Sequence, residues 1–320
     1  MDNPRPVATL AKAVADFAGA HLPVADEWCV ALSGGADSLA LTAVAARQRP
    51  TTALIVDHGL QAGSDAVAAR AADQARELGC VAAQVLCVTV GSQGGPEAAA
   101  RNARYAALDE ARASMPVLLA HTLDDQAETV LLGLGRGSGP RSIAGMRPYH
   151  APWARPLLGV RRAVTLAVCD ALGLSWWDDP HNADARYTRV RLRHEVLPLL
   201  EDVLGGGVAE ALARTATALR EDTEALDQQA ATALDALADP HGLDVADVSR
   251  HPTAVRRRIL RGWLLAGGAT GLTDKHIRAV DALVTCWRGQ GGVAVGSAHR
   301  DERLFAERRA GRLVMRCEPV

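Results

Sequence analysis

The sequence predicts an α/β fold: a doubly wound parallel sheet followed by a smaller, mainly helical C-terminal domain. Three observations carry that expectation. Continuous apolar runs recur at residues 28–32, 52–56, 83–90 and 116–120, Ala-rich amphipathic segments of helical length separate them, and from about residue 207 helical periodicity takes over.

In chain order, residues 7–20 predict an N-terminal helix, and helices over 38–47, 65–79, 97–113 and 124–134 alternate with the four apolar runs. Strands without polar alternation are buried on both faces, which implies a parallel sheet between helical layers. Ligands then belong at the carboxyl ends of the strands. Residues 133–156, rich in Gly, Pro and Arg, interrupt the rhythm and read as a long functional loop. Helices over 208–237, 252–266 and 274–286 follow, then short alternating runs at 292–295, 303–306 and 313–317, so a helical domain with a strand-containing tail is expected. The domain division is placed at 1–206 and 207–320.

The 320 residues, 48% hydrophobic and 22% charged, suffice for two cores without disulfides. The six cysteines include no CxxC pair, and no His cluster stands at zinc spacing, so a reducing cytoplasm is the expected setting. Neither a secretory h-region nor a run of about 18 apolar residues occurs, so no membrane association is expected. The net charge of −2 conceals segregation: residues 130–200 hold ten Arg against five Asp and Glu, and residues 250–320 hold fourteen Arg and Lys against six. Local basic patches of this kind make nucleic acid a candidate partner.

The first apolar run leads directly into Ser33-Gly34-Gly35-Ala36-Asp37-Ser38, after which a helix begins. Two glycines let the backbone approach a phosphate, and Ser33, Ser38 and the free amides of the helix start supply donors. A Walker loop would need a lysine, and none is present here. The hexapeptide in this context resembles the SGGxDS loop of the PP-loop pyrophosphatase superfamily, whose members grip the pyrophosphate of ATP and transfer AMP. The resemblance implies a Rossmann-like sheet, a nucleotide site made by Ser33, Gly34, Gly35, Ala36, Asp37 and Ser38, and Mg²⁺ held by Asp37. It also places the adenine nucleoside near Asp57-His58-Gly59-Leu60.

The second motif, His121-Thr122-Leu123-Asp124-Asp125-Gln126-Ala127-Glu128-Thr129, follows the fourth run. Thr122 with Asp125 reads as a capping box. On a helix starting there, Asp125 and Glu128 stand at i, i+3 and Asp124 and Glu128 at i, i+4, so several carboxylates can converge on one patch, which calls for a cation. This HxLDDQAET segment resembles that of tRNA(Ile)-lysidine synthetases. So do Ala100-Arg101-Asn102-Ala103-Arg104-Tyr105, the loop Arg136-Gly137-Ser138-Gly139 with Ala144-Gly145-Met146, and Asp178-Asp179-Pro180-His181-Asn182 followed by residues 187–193 and Pro198. The likeness covers roughly residues 28–200. Two departures stand out: Thr122 follows His121 where many members have a second histidine, and Val190 replaces an asparagine.

The resemblance implies a two-step reaction. ATP adenylates the C2 oxygen of the wobble cytidine in the CAU anticodon of an isoleucine tRNA, and the ε-amine of free L-lysine displaces AMP. Asp124, Asp125 and Glu128 are expected to receive lysine, with Asp125 and Glu128 acting in catalysis. Arg101 and Arg104 are expected to neutralise phosphate charge, and His121 or a carboxylate to take the proton from lysine. Arg186, Arg189 and Arg193, at i, i+3, i+7, predict a basic helical stripe for tRNA. Arg136, Arg141 and the cluster Arg256, Arg257 and Arg258 are expected to contact it too. Trp176-Trp177 reads as core, and a homodimer is compatible with the sequence. A tRNA thiolase would need the missing cysteines, a GMP or NAD synthetase would not need the Arg-rich segments, and a non-catalytic module would not need Asp37, Asp125 and Glu128 together.

Overall fold

A computed structural model describes residues 5–59, 63–91, 95–137, 139–179, 184–237, 239–299 and 301–319. The chain forms two compact units, residues 1–137 with 142–216, and residues 138–141 with 217–320.

In the first unit, α1 (Arg5–His21), β1 (Trp28–Ala31), α2 (Ala36–Ala45), β2 (Thr51–Asp57), α3 (Ser64–Glu77), β3 (Ala82–Cys87), α4 (Pro96–Ala111), β4 (Val117–Leu118) and α5 (Leu123–Arg136) succeed one another. They are followed by α6 (Pro140–Ile143), β5 (Tyr149–His150), β6 (Trp153–Ala154), α7 (Arg162–Ala171), α8 (Thr188–Arg191), a π turn over Leu192–Val196, and α9 (Leu197–Leu204). The sheet has the order β3-β2-β1-β4-β6-β5, parallel throughout except where β5 runs antiparallel to β6. From β1 the chain winds outward through β2 and β3, then returns to lay β4 on the other side of β1. That reversal opens a crevice at the carboxyl ends of β1 and β4, where such sheets bind ligands.

Alternate strand residues explain the unbroken apolar runs. Val30, Ala53, Ile55 and Leu118 face a core shared with Val7, Leu10 and Val14 of α1, Leu39 of α2, Ala71 of α3 and Val168 of α7. Cys29, Leu54 and Val117 face Leu108 of α4 and its neighbour Tyr105 on the other side. The stretch read as a functional loop, residues 133–156, differs from expectation: it holds α6, β5 and β6, and Trp153 and Ala154 pair in register with Val117 and Leu118. Two strand residues beside a proline are too short a signal for periodicity to detect.

In the second unit, α10 (Val208–Leu237) contributes its residues from Thr217 onward, followed by β7 (Leu243–Asp244), α11 (Val245–Ser249), α12 (Thr253–Ala266), β8 (Ala269–Thr270), α13 (Asp274–Thr285), β9 (Val293–Ser297), β10 (Glu302–Arg309) and β11 (Arg312–Pro319). The tail is a full antiparallel layer, β7-β11-β10-β9-β8, whose inner face packs Val295, Leu304, Ala306 and Leu313 against Ile259, Leu264, Val280 and Leu283. The alternating runs at 303–306 and 313–317 fall within β10 and β11, where Leu304 and Ala306 alternate as a half-buried strand requires, and the charged residues beside them obscure the full length of the strands.

One charged pair lies inside this unit. Arg256 donates from Nε to Asp281 Oδ1 at 2.6 Å, with side chains 10% and 6% exposed, and Arg257 donates to Asp281 Oδ2 at 2.9 Å. Removing one partner of a buried pair strands the other charge. Asp281→Ala is therefore expected to destabilise this unit by about 3–5 kcal/mol, read from the denaturant midpoint; an unchanged midpoint would show that Arg256 reaches water without it.

Candidate active site

The first functional segment sits at the sheet's switch point. After β1 the backbone turns at Gly34, whose φ of +81° is strained for any residue with a Cβ. Gly35 is the N-cap of α2, and no side chain caps it, so the first amides of a ten-residue helix stay available to an anion. Ser33 N donates to Ser38 Oγ at 3.2 Å and Ser38 Oγ donates to Gly35 O at 2.9 Å, closing the loop on itself. Trp177 N donates to Gly34 O at 3.0 Å, so the 175–179 segment braces the loop from outside.

Asp37, in the first turn of α2, accepts from Arg162 Nε at 3.1 Å and from Thr165 Oγ1. Burial raises its carboxyl above the usual range, and Arg162 and Thr165 offset part of that rise. Arg162 also donates from Nη2 to Asp125 Oδ1 at 2.6 Å and lies 3.7 Å from Glu128. Burial opposes its charge, but Asp125, Asp37 and Glu128 hold the guanidinium protonated more firmly than usual.

The second segment leaves β4 on the other side of β1. Thr122 is the N-cap of α5, and its capping box with Asp125 is complete: Thr122 N donates to Asp125 Oδ2 at 2.8 Å and Asp125 N donates to Thr122 Oγ1. The cap orients Oδ1 of Asp125 toward Arg162 and toward Arg193 Nη2, 3.3 Å away. Burial raises the Asp125 carboxyl, yet Arg162, the Thr122 amide and Arg193 together hold it below its ordinary value. Glu128, with no exposed surface on its side chain, accepts from Arg193 Nε at 2.7 Å and Nη2 at 3.2 Å, and Arg189 approaches to 4.0 Å.

Asp37, Asp125 and Glu128 thus share two guanidinium groups. Asp124, expected beside them, is not brought in: its Oδ2 accepts from the backbone N of Arg162 at 2.7 Å, and Arg161 lies 3.6 Å from Oδ1. One position along the first turn aims its carboxylate at the start of α7 instead of at Glu128. The predicted stripe of arginines is also redistributed. Arg186 precedes α8 and pairs with Asp184 at 2.7 Å, while the π turn carries Arg193 round to the carboxylates.

Arg162 escaped the sequence reading because its partners lie far away in the chain. One signal was present, since a cation in the first turn of a helix opposes the macrodipole and requires a nearby acid.

These groups open on a cavity of about 730 Å³, lined among others by Ser33, Asp37, His58, Arg104, His121 and Trp177. Asp57 does not line it; its Oδ1 accepts from Gly59 N at 2.9 Å within its own turn. Trp176 packs on the main core as expected and also lines the cavity, as Trp177 does. Burial pushes His121 from the usual 6.5 down to about 3; Asp125 raises it, and Arg155, Arg104 and Arg101 lower it further. Arg101 donates from Nη2 to Tyr105 Oη at 3.4 Å on the exposed rim.

Of the other predicted basic residues, Arg136 closes α5. Arg141 and Arg258 share Asp227, at 2.5 and 2.8 Å. Arg256 is buried on Asp281, which removes it from any surface for tRNA. Leu60, Ser138 and residues 180–182 lie outside the described residues.

An uncapped helix start after β1, facing charged groups after β4 across the switch point, defines the first unit as a PP-loop domain. A family model described as the PP-loop domain matches residues 7–200, and one described as the TilS substrate binding domain matches residues 243–314. The chain is 69% identical over 324 residues to the tRNA(Ile)-lysidine synthase of Mycobacterium bovis and 66% identical to that of Mycobacterium leprae, each alignment covering 100% of both chains. It belongs to the tRNA(Ile)-lysidine synthase family and is an enzyme of the ligase class. Among solved structures, the U34-tRNA thiolase of Methanococcus maripaludis superposes with a TM-score of 0.55 at 18% identity, covering 68% of this chain and 80% of that one, a likeness of fold alone.

The depressed His121 gives a pH signature. Between about 3 and 6.5 the unfolded imidazole binds a proton that the folded one does not, so acid favours unfolding. The stability that the neutral ring contributes is complete above pH 6.5 and is lost as pH falls toward 3. His121→Asn is expected to flatten the decline of the unfolding free energy across that window. Parallel wild-type and variant curves would mean that the ring titrates normally.

Proposed function

We propose that the chain ligates L-lysine to C2 of the wobble cytidine in the CAU anticodon of an isoleucine tRNA, through an adenylated tRNA. The observation that carries this reading is one cavity at the switch point that joins an uncapped, anion-binding helix start to a balanced cluster of three carboxylates and two guanidinium groups.

In the first step the cytidine C2 oxygen attacks the α-phosphorus of ATP, and the bond to pyrophosphate breaks. The amides of Gly35, Ala36 and Asp37, with the hydroxyls of Ser33 and Ser38, are placed to receive the departing pyrophosphate. His58, on the cavity wall at the end of β2, borders the nucleoside side. Asp37 suits Mg²⁺, because its carboxylate is an oxygen donor on the cavity wall, and Asp178 and Asp179 line the same space. Among the described residues no three acidic, histidine or cysteine side chains are arranged to hold a metal ion by themselves, so Asp37 would share the ion with phosphate oxygens. When bound, the ion supplies charge neutralisation along the triphosphate. Arg101 and Arg104 add positive charge from the α4 side.

In the second step the ε-nitrogen of lysine attacks C2, and AMP departs with the C2 oxygen. Lysine carries both signs of charge, which suits a cluster carrying both. Its ammonium fits Asp125 and Glu128, and its carboxylate fits Arg193 or Arg189. Arg162 bridges Asp37 and Asp125, so the nucleotide half and the lysine half share one guanidinium. Lysine at Asp125 requires that guanidinium to give up a bond of 2.6 Å. Two acceptors stand at hand for the proton that the ammonium loses, the Asp125 carboxylate and His121, whose buried ring holds a proton less well than usual.

For the tRNA, we assign the exposed Arg186, half-exposed Arg189 and the end of α5 at Arg136 in the first unit, with Arg141, Arg257 and Arg258 of the second unit as further contacts. The match of residues 243–314 to a substrate binding domain supports that role for the second unit. The setting is the cytoplasm, where tRNA, ATP and lysine meet.

Incorporation of labelled lysine into an unmodified isoleucine tRNA transcript with a CAU anticodon tests the reading, and labelling is expected only with ATP. Asp37→Ala is expected to abolish pyrophosphate release while leaving tRNA affinity within about twofold, since a carboxylate repels RNA phosphates and contributes nothing to holding them. ATP binding without labelling, or equal loss of both properties, contradicts it.

A further inference from the structure

Beside the carboxylate cluster lies a group of cations with no acid to balance it. Arg104 Nε and Arg155 Nε are buried and have no hydrogen-bond partner among the described residues, and the same holds for His58 Nδ1 and His121 Nδ1. Buried N–H donors without acceptors are costly, and a group of them marks a place where a ligand supplies the acceptors.

Tyr105 organises this group. The guanidinium carbons of Arg101 and Arg104 lie 4.9 and 5.4 Å from the centre of its ring, and the ring packs edge-on against Trp153 at 4.7 Å. Arg155 directly follows β6, whose Trp153 packs on Tyr105, and its guanidinium reaches the Tyr105 hydroxyl. Burial raises the Tyr105 hydroxyl, but Arg101, Arg104 and Arg155 pull it below its usual value, which places all three cations within electrostatic reach of one oxygen. None of the three forms an ion pair with a carboxylate among the described residues. Arg162 and Arg193, by contrast, each hold two or more.

We infer that Arg155, with Arg101 and Arg104 around Tyr105, forms a second phosphate-binding site, separate from the loop after β1 and made for a phosphodiester or phosphoanhydride oxygen. Arginine matches phosphate through paired N–H groups, and guanidinium groups arriving from α4 and from the segment after β6 can grip one phosphate from two sides. This inference rests on the functional reading above, because two sources supply such a phosphate: the tRNA backbone next to the modified nucleotide, and the triphosphate of ATP. Arg155 was not singled out by any motif, since it follows a two-residue strand.

The test uses the full chain and three variants, Arg155→Gln, Arg155→Lys and Arg101→Gln. Affinity for an unmodified tRNA transcript is measured by filter binding over a range of salt, and affinity for a non-hydrolysable ATP analogue by calorimetry. Arg155→Gln is expected to weaken one of the two by about tenfold or more, and Arg155→Lys to recover only part of it, because charge remains without the planar fork. If the phosphate belongs to the tRNA, the slope of log affinity on log salt falls by about one and the ATP analogue binds as in wild type. If it belongs to ATP, only the analogue loses affinity. Both affinities within twofold of wild type overturn the site. Should Arg155→Gln fail to fold, Arg101→Gln, on the exposed rim, decides by the same criteria. Wild-type protein that binds neither ligand contradicts the functional reading itself, whereas wild-type binding with indifferent variants contradicts only this site.

Discussion

Three carboxylates drawn together at one point of a folded chain repel one another and need countercharge, and in this protein Arg162 and Arg193 provide it. Most of the architecture of the first unit can be understood from that constraint. Asp37 comes from the helix after β1 and Asp125 and Glu128 from the helix after β4; they meet only because β4 is laid beside β1. Arg162 opens α7, which packs against α1 and α2, and Arg193 enters through a π turn that interrupts the helix ending at Leu204. Asp124, one residue from Asp125, fixes the start of α7 by accepting from the Arg162 backbone. The same short segment therefore supplies both a carboxylate for the site and the anchor for its counterion.

The arrangement also divides the cavity by charge. On the Asp37 side, acids and arginines balance; on the Tyr105 side, the arginines form no ion pair with an acid among the described residues. Uncapped amides at the start of α2 add partial positive charge between the two. Under the proposed function, a polyanion and a zwitterion have separate complementary places there. The buried, neutral His121 stands at the border, near Asp125 on one side and Arg155, Arg104 and Arg101 on the other.

How much of this was legible depends on the range of each interaction. The Ser33–Ser38 loop and the Thr122–Asp125 cap are local, and their residues state their geometry within six positions of sequence. The alternation of strands and helices likewise reports burial directly. By contrast, Arg162 acquires its role from Asp37 and Asp125, 125 and 37 residues earlier in the chain, and no spacing rule links them. Helical spacing misassigned two places, since Asp124 shares a face with Glu128 in an ideal helix yet serves α7 and Arg186 stands before the helix it was expected to join; the basic cluster misassigned a third, Arg256, which turns inward to Asp281. The strand β6 was invisible because two residues cannot show a period, whereas the strands of the second unit's tail were legible as the runs at 292–295, 303–306 and 313–317, with their full length obscured by charged flanking residues.

The central claim is that Asp125 and Glu128 receive lysine when Arg162 relinquishes its bridge to the nucleotide half of the site. Calorimetric titration of lysine into the wild-type chain, with and without Mg²⁺ and a non-hydrolysable ATP analogue, tests this most directly. The account predicts that the nucleotide changes lysine affinity by at least about fivefold, as linked sites do, and that Asp125→Asn abolishes lysine binding. Lysine affinity that is indifferent to both the nucleotide and Asp125 would contradict it.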